Sequence, residues 1–198
     1  MRASRHFPVV TVLGPIIGLV VLTPGLMAQE IPPEEAPRRS RDLVTVGPDK
    51  LKIAKAVACR SIDGYERYVP LPNGAITAEE KLQIYYRVLS CKFAVKEDEY
   101  FVHLVQDGQI RRKGEKTPFL AKLKVLDYAA KASSPPNWIY LRNSVSLKGL
   151  KPGEYEYDII LRDEYNPVPP VTQAVRFRVV APALSKGHES KPPGQGTE

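Results

Sequence analysis

Residues 153–163 read Gly-Glu-Tyr-Glu-Tyr-Asp-Ile-Ile-Leu-Arg-Asp, and residues 171–180 read Val-Thr-Gln-Ala-Val-Arg-Phe-Arg-Val-Val. In the first stretch Tyr155, Tyr157, Ile159 and Leu161 alternate with Glu154, Glu156 and, less regularly, Asp158 and Ile160. In the second, Val175, Phe177 and Val179 alternate with Arg176 and Arg178. A hydrophobic period of two sends successive side chains to opposite faces, which is the pattern of a strand with one face buried and one wet. Phe119, Ala121, Leu123 and Val125 alternate with Lys122 and Lys124 in the same way. Working outward, the period stays at two and no long helical pattern emerges, so the chain reads as all-β.

The stretch from Lys81 to Lys96 changes phase. Leu82, Ile84, Tyr86 and Val88 mark one face, and Leu89, Cys91, Phe93 and Val95 then continue on odd positions. An extra residue near Val88 and Leu89, as a β-bulge or a break into two strands, keeps both sets facing the core. Glu97, Asp98 and Glu99 make a turn, and a strand from Tyr100 to Gln106 is expected to close at Asp107-Gly108, a pair that tolerates positive φ. Pro135, Pro136 and Asn137 end a loop before another strand at Trp138 to Leu147, and the loop Arg162 to Pro170 separates the last two strands. Thr77 with Glu80 has the spacing of a capping box, though a plain loop into the next strand is the preferred reading. No internal repeat is present.

The termini differ in composition from this body. Residues 1–28 carry Arg2 and Arg5, then an apolar run from Phe7 to Leu22, then Thr23, Pro24 and Gly25 and a small residue, Ala28. That order is a secretory signal peptide with cleavage after Ala28. An uncleaved anchor is the alternative, but the run is short of the roughly 20 residues a spanning helix needs, and Gly14 and Pro15 interrupt it. No membrane span is expected after cleavage. Residues 29–49 are rich in proline and mixed charge and read as a flexible lead. Residues 181–198 read as a disordered tail. Residues 50–180 form one domain of ordinary size. Removing the two arginines of the signal lowers the formal charge from +7 to +5, so the exported protein stays basic and is drawn toward anionic partners without any one being specified.

The chain has two cysteines, Cys59 and Cys91. In an exported protein a disulfide between them is the expectation, worth roughly 3–4 kcal/mol in the chain-entropy model for a loop of about 30 residues. Two buried packing thiols are the other reading. A metal site needs more ligands than this pair supplies.

Leu150-Lys-Pro-Gly-Glu-Tyr155 resembles the L-x-P-G-x-Y entry to the penultimate strand of bacterial immunoglobulin-like and fibronectin-type sandwiches. In that arrangement Leu150, Pro152 and Gly153 build the corner, and the Tyr155 hydroxyl folds back onto upstream backbone. The resemblance implies a single Ig-like antiparallel β-sandwich of about 7 to 9 strands with disordered termini. It departs from the antibody pattern, since Tyr157 stands where that pattern has a cysteine, and Trp138 falls too late for the core tryptophan. The resemblance implies no activity, because such sandwiches host unrelated functions.

Candidate chemistry is sparse. His6 lies in the signal and His188 in the tail, leaving His103, beside Val102 and Leu104 in a strand and framed by no nucleophile motif. Glu97 with Glu99, and Asp163 with Glu164, are carboxylate pairs of the type glycosidases use, but they lie in turns. Asp163, Glu164 and Asn166 supply oxygens without the spacing of a calcium loop. No catalytic residue, metal site or cofactor is assigned. For binding, Trp138, Tyr140, Tyr65, Tyr68 and Tyr165 are candidate flat rings for a sugar. Arg111, Arg112 and Lys113, beside Lys116, are candidate contacts for an anionic polymer. The expected protein is an exported, non-enzymatic interaction or structural module of the cell envelope, whose partner is a protein or an envelope polymer and not nucleic acid. A carbohydrate- or acidic-polymer-binding domain is the alternative, and a small hydrolase a distant third.

Overall fold

The computed structural model describes residues 28–182. Most of the predicted signal peptide and of the predicted tail lies outside the described residues. Twelve strands are present among them: β1 Gln29–Ile31, β2 Val44–Val46, β3 Lys52–Gly64, β4 Arg67–Pro70, β5 Ala75–Thr77, β6 Lys81–Ser90, β7 Phe93–Lys96, β8 Glu99–Arg112, β9 Leu120–Ala132, β10 Ile139–Ser146, β11 Gly153–Asp163 and β12 Val171–Val180. They form two packed sheets. The larger runs β1-β9-β8-β11-β12-β5, with β7 also pairing β8 and β2 pairing β7, and the smaller runs β10-β6-β3-β4. The chain is thus an all-β sandwich with more strands than expected, and one pair, β12 with β5, is parallel.

The core lies between the sheets. Leu82, Ile84, Tyr86 and Val88 of β6 meet Tyr155, Tyr157, Ile159 and Leu161 of β11, with Val175, Phe177 and Val179 of β12 behind them. The phase change after Val88 is resolved by a break: β6 ends at Ser90, and β7, starting at Phe93, belongs to the other sheet. Cys91 and Phe93 turn into the core, but Leu89 is 54% exposed, because it lies on the outer face of β6. A two-residue turn with Glu97 at φ 52° and Asp98 at φ 61° joins β7 to β8.

The corner at Leu150 to Tyr155 forms as the resemblance implies: Tyr155 Oη donates to the carbonyl of Lys151 at 2.7 Å, and its ring stacks on Phe177. Thr77 and Glu80 make one half of a capping box, Thr77 N–H donating to Glu80 Oε2, which also accepts from Thr77 Oγ1, while Glu80 N–H donates to the Thr77 carbonyl in a turn that does not continue as a helix.

Three expectations are corrected. Asp107-Gly108 is not a turn, and β8 runs through it to Arg112. The register slips by a bulge between Gln106 and Gly108, where Asp107 pairs with Arg162 and accepts the backbone N–H of Lys124 at 2.7 Å. Glycine is required at 108 for space, since a Cβ there would lie 2.2 Å from the Tyr157 hydroxyl. The stretch 29–49 is not a featureless lead: β1 pairs with β9, β2 with β7, and Ile31, Ala36 and Leu43 cover Phe101, Ala129 and Tyr165 on the outer face of the larger sheet. A few well-placed apolar residues suffice to dock it. Finally, Cys59 and Cys91 are free, buried thiols. Alternation along β3 turns Ala58 into the inter-sheet core and Cys59 to the outer face, whereas Cys91 sits in the inter-sheet core, so the two point away from one another across the smaller sheet.

Candidate binding face

The outer face of the smaller sheet carries an aromatic cluster. On β6 the inward residues are Leu82, Ile84 and Tyr86, so the same alternation turns Tyr85 and Arg87 outward. β10 pairs with β6 so that Tyr140 lies opposite Arg87 and Arg142 opposite Tyr85, a diagonal pattern of ring and guanidinium. Tyr68 comes from β4, Tyr65 from the tight turn between β3 and β4, and Trp138 from the residue before β10. The rings touch in sequence. Tyr68 stacks on Tyr85 with centroids 4.5 Å apart, Tyr85 on Tyr140 at 5.7 Å, and Tyr65 on Trp138 at 4.1 Å. Tyr85 and Tyr140 are buried at the base, and Tyr65, Tyr68 and Trp138 are half-buried and open to solvent. Offset stacking of this kind adds about 0.5–1.5 kcal/mol per pair beyond the area buried.

A charged frame holds the cluster. Glu66, left-handed at φ 55° in the turn, is paired with Lys55 and, at 2.7 Å, with Arg87, and its N–H donates to Tyr85 Oη at 3.3 Å. The hydrogen bonds from Lys55 and Arg87 hold the Glu66 carboxyl below the usual carboxylate range. Lys55 adopts φ 53° where the β3 register slips, and its Nζ lies 5.5 Å from the Tyr68 ring centre. The Arg87 guanidinium lies 5.7 Å from the Tyr65 ring centre. Both are cation–π distances. Burial pushes the Tyr85 and Tyr140 hydroxyls up and the Cys59 thiol up to about 11, so the base of the face is uncharged at neutral pH.

The candidate rings Trp138, Tyr140, Tyr65 and Tyr68 are therefore brought together, while Tyr165 is not: it is buried on the other sheet against His103. Tyr85, Arg87, Lys55 and Glu66 complete the face and were not singled out from the sequence. The odd-position parity of Tyr85 and Arg87 within Leu82 to Val88 is the signal that points to them.

Arg111, Arg112 and Lys113 occupy a different face and are already engaged. Arg111 is paired with Asp158 at 2.8 Å and with Glu156, Lys113 with Glu154 at 2.7 Å, and Arg112 lies over the Tyr155 ring. Glu156 sits directly between Arg111 and Arg176 across three strands. Burial raises its carboxyl, and the two arginines more than offset that and hold it below the usual range. This ladder neutralises itself, so the three cations do not form an open anion site.

His103 Nε2 lies 2.8 Å from Asp127, whose other oxygen pairs with Lys124. Asp163 accepts backbone N–H groups from Lys92 and Tyr165, and Asn166 Nδ2 donates to the carbonyl of Asp49, so these two side chains tie down the loop. Among the described residues no group of three or more His, Cys, Asp or Glu is placed to hold a metal ion. No helix among them is long and apolar enough to cross a membrane.

No protein-family model matches the chain. No curated protein matches it either. Among solved structures it is similar to an alkylpurine DNA glycosylase of Pseudomonas fluorescens bound to DNA with an abasic-site analogue, at 12% identity and TM-score 0.37 over 66% of this chain and 30% of that one. It is also similar to a β-glucosidase of Erythrobacter marinus, at 12% identity and TM-score 0.35 over 66% of this chain and 15% of the other. Similarity at this level carries no functional argument.

Proposed function

We propose that the protein is an exported, non-enzymatic binding module of the cell envelope, and that it holds an acidic polysaccharide on the aromatic face of its smaller sheet. The observation that carries this reading is the convergence of Tyr65, Tyr68 and Trp138, half-open to solvent, beside the guanidinium of Arg87 and the ammonium of Lys55. Half-open rings offer apolar contact to the faces of sugar rings, with hydroxyls at the rim, and Lys55 and Arg87, which share the single carboxylate of Glu66, leave a net positive charge beside the rings that suits carboxylates spaced along a polymer. The rings are locked by stacking on one another and on buried Tyr85 and Tyr140, so little side-chain entropy is lost on binding. The signal-peptide pattern of residues 1–28 supports the envelope location.

Affinity electrophoresis of the protein without residues 1–28 tests this. Polygalacturonate in the gel should retard it, dextran should retard it far less, and Trp138→Ala should abolish the difference. Polygalacturonate should release no new reducing ends on incubation with the protein. Equal migration in all gels would overturn the glycan reading and leave a protein-contact module, and release of reducing ends abolished by His103→Ala would establish a hydrolase instead.

A further inference from the structure

The alternation of residues 119–125 predicts Phe119, Ala121 and Leu123 on the buried face and the lysines outside, but the register inverts that parity. Lys122 lies opposite Gly108, and Leu120 opposite Ile110. Directly opposed residues of an antiparallel pair share a face of the sheet. Here that face is the inner one, since Ile110 belongs to the inter-sheet core and a Cβ on Gly108 would meet the Tyr157 hydroxyl. Leu120 and Lys122 therefore point inward, and Phe119 and Leu123 are left 51% and 78% exposed. Beyond Lys122 the strand bulges, with Leu123, Lys124 and Val125 set against the single residue Asp107, before Leu126 packs on the core again. β10 ends the smaller sheet at the same side, pairing only with β6, and its inward residues Asn143 and Val145 lie opposite Ile84 and Leu82. Between β9 and β10 is a cleft of about 340 Å³, with Leu120, Val125 and Val145 as its walls and Ile110 behind them. Its floor is held in place, because Tyr157 Oη accepts hydrogen bonds from Gln106 and Asn143. Lys122 is the only charged side chain among the residues that line it, and it has no acidic partner among the described residues.

We infer that this cleft is a binding site for a small amphipathic carboxylate, a single hydrocarbon chain of medium length ending in one carboxyl group, as in a free fatty acid. The volume lies at the lower end of the range for small-molecule sites, about 300–1,000 Å³. The chain lies against Leu120, Val125, Val145 and Ile110, removing branched aliphatic surface from water. A lysine stem follows apolar surface and carries its ammonium toward solvent, so Lys122 presents its charge at the mouth of the cleft. A carboxylate that meets it there keeps part of its hydration and escapes the cost of a fully buried ion. One unbalanced cation over an aliphatic slot selects for one negative charge on an apolar body. A neutral alcohol leaves the ammonium unmatched, and an alkylamine sets a second positive charge beside it.

The cleft shares no residue with the aromatic face, so the two sites fail separately. The test is a titration of the isotope-labelled protein, without residues 1–28, with butanoate, hexanoate and octanoate below micelle-forming concentrations, followed by amide chemical shifts. Saturable shifts should map to residues 108–110, 120–125 and 143–146. Affinity should rise roughly fourfold for each methylene that the cleft buries. Octanoate should bind more tightly than octanol, and octylamine more weakly than either. Lys122→Met keeps an unbranched apolar stem and removes the charge, so it should weaken octanoate about two- to fivefold and leave octanol no weaker. Unchanged thermal unfolding shows that the variant is folded. Absence of saturable shifts at millimolar octanoate, or shifts centred on any other face, would overturn the inference and leave Lys122 as a cover for the end of the sheet. Octylamine binding as well as octanoate, or a preference for octanoate over octanol that survives Lys122→Met, would overturn it too.

Discussion

Replacing Gly108 by alanine sets one methyl group against the centre of the core. An ideal Cβ at 108 lies 2.2 Å from Tyr157 Oη, 2.8 Å from Cζ and 3.0 Å from Cε2, all inside van der Waals contact. The backbone cannot yield easily, because Gly108 is paired with Lys122 on one side and with Ile159 on the other. The ring must move. The Tyr157 hydroxyl accepts hydrogen bonds from Gln106 Nε2 at 3.0 Å and Asn143 Nδ2 at 2.8 Å, and Gln106 is fully buried and also accepts from Tyr86. Overpacking of this kind costs about 1–3 kcal/mol, and leaving the Gln106 amide unpaired adds about 1–3 kcal/mol. We expect Gly108→Ala to destabilise the domain by about 2–6 kcal/mol, read as a lower midpoint in urea at unchanged slope. A double-mutant cycle isolates the contact. Tyr157→Phe removes the atom at 2.2 Å, so Gly108→Ala should cost at least about 1 kcal/mol less in that background. A Gly108→Ala protein within about 0.5 kcal/mol of the parent would refute the reasoning.

Further outcomes follow from the same geometry. Tyr155→Phe removes the bond to the Lys151 carbonyl while keeping the ring stack on Phe177, so it should cost about 1–2 kcal/mol in urea unfolding. Mass spectrometry after alkylation in denaturant without reductant should count two modified thiols, Cys59 and Cys91, and reductant should leave the melting temperature unchanged. In the folded state both should alkylate slowly, because burial raises them, Cys59 to about 11 and Cys91 further, and the thiolate is the nucleophile. Acid should destabilise the domain. Asp107, through its bond to Arg162, and Glu156, through its arginines, titrate below their unfolded values, so their contribution is complete above about pH 4 and is lost as pH falls through the folded values. Asp163, raised by burial, works in the opposite sense, so Asp107→Asn should flatten the acid slope of stability and Asp163→Asn should steepen it.

Much of this fold is legible in the residues. The period of two in β11 and β12 places their core faces correctly, and the Leu150 to Tyr155 corner predicts a hydrogen bond that is present. Local signals misled where a long-range contact overrode them. Asp-Gly is a turn pair in isolation, but here Arg162 fixes the aspartate and Tyr157 needs the glycine. The orientation of Cys59 is hidden because the register slip at Lys55 scrambles the parity of β3. The candidate face was half legible: Trp138, Tyr140, Tyr65 and Tyr68 were visible as residue types, but their convergence depends on β4 and β10 flanking β3 and β6, which no local pattern specifies. The self-neutralising ladder around Arg111 was not legible, because it needs the register of β8, β11 and β12 together.

The central claim is that the outer face of the smaller sheet binds an acidic polysaccharide. Titration of the isotope-labelled protein, without residues 1–28, with oligogalacturonate tests it most directly. The account predicts saturable amide shifts clustered at Tyr65, Tyr68, Arg87 and Trp138, removed by Trp138→Ala and weakened by salt. Saturable shifts confined to any other face, or none at millimolar oligosaccharide, would contradict it.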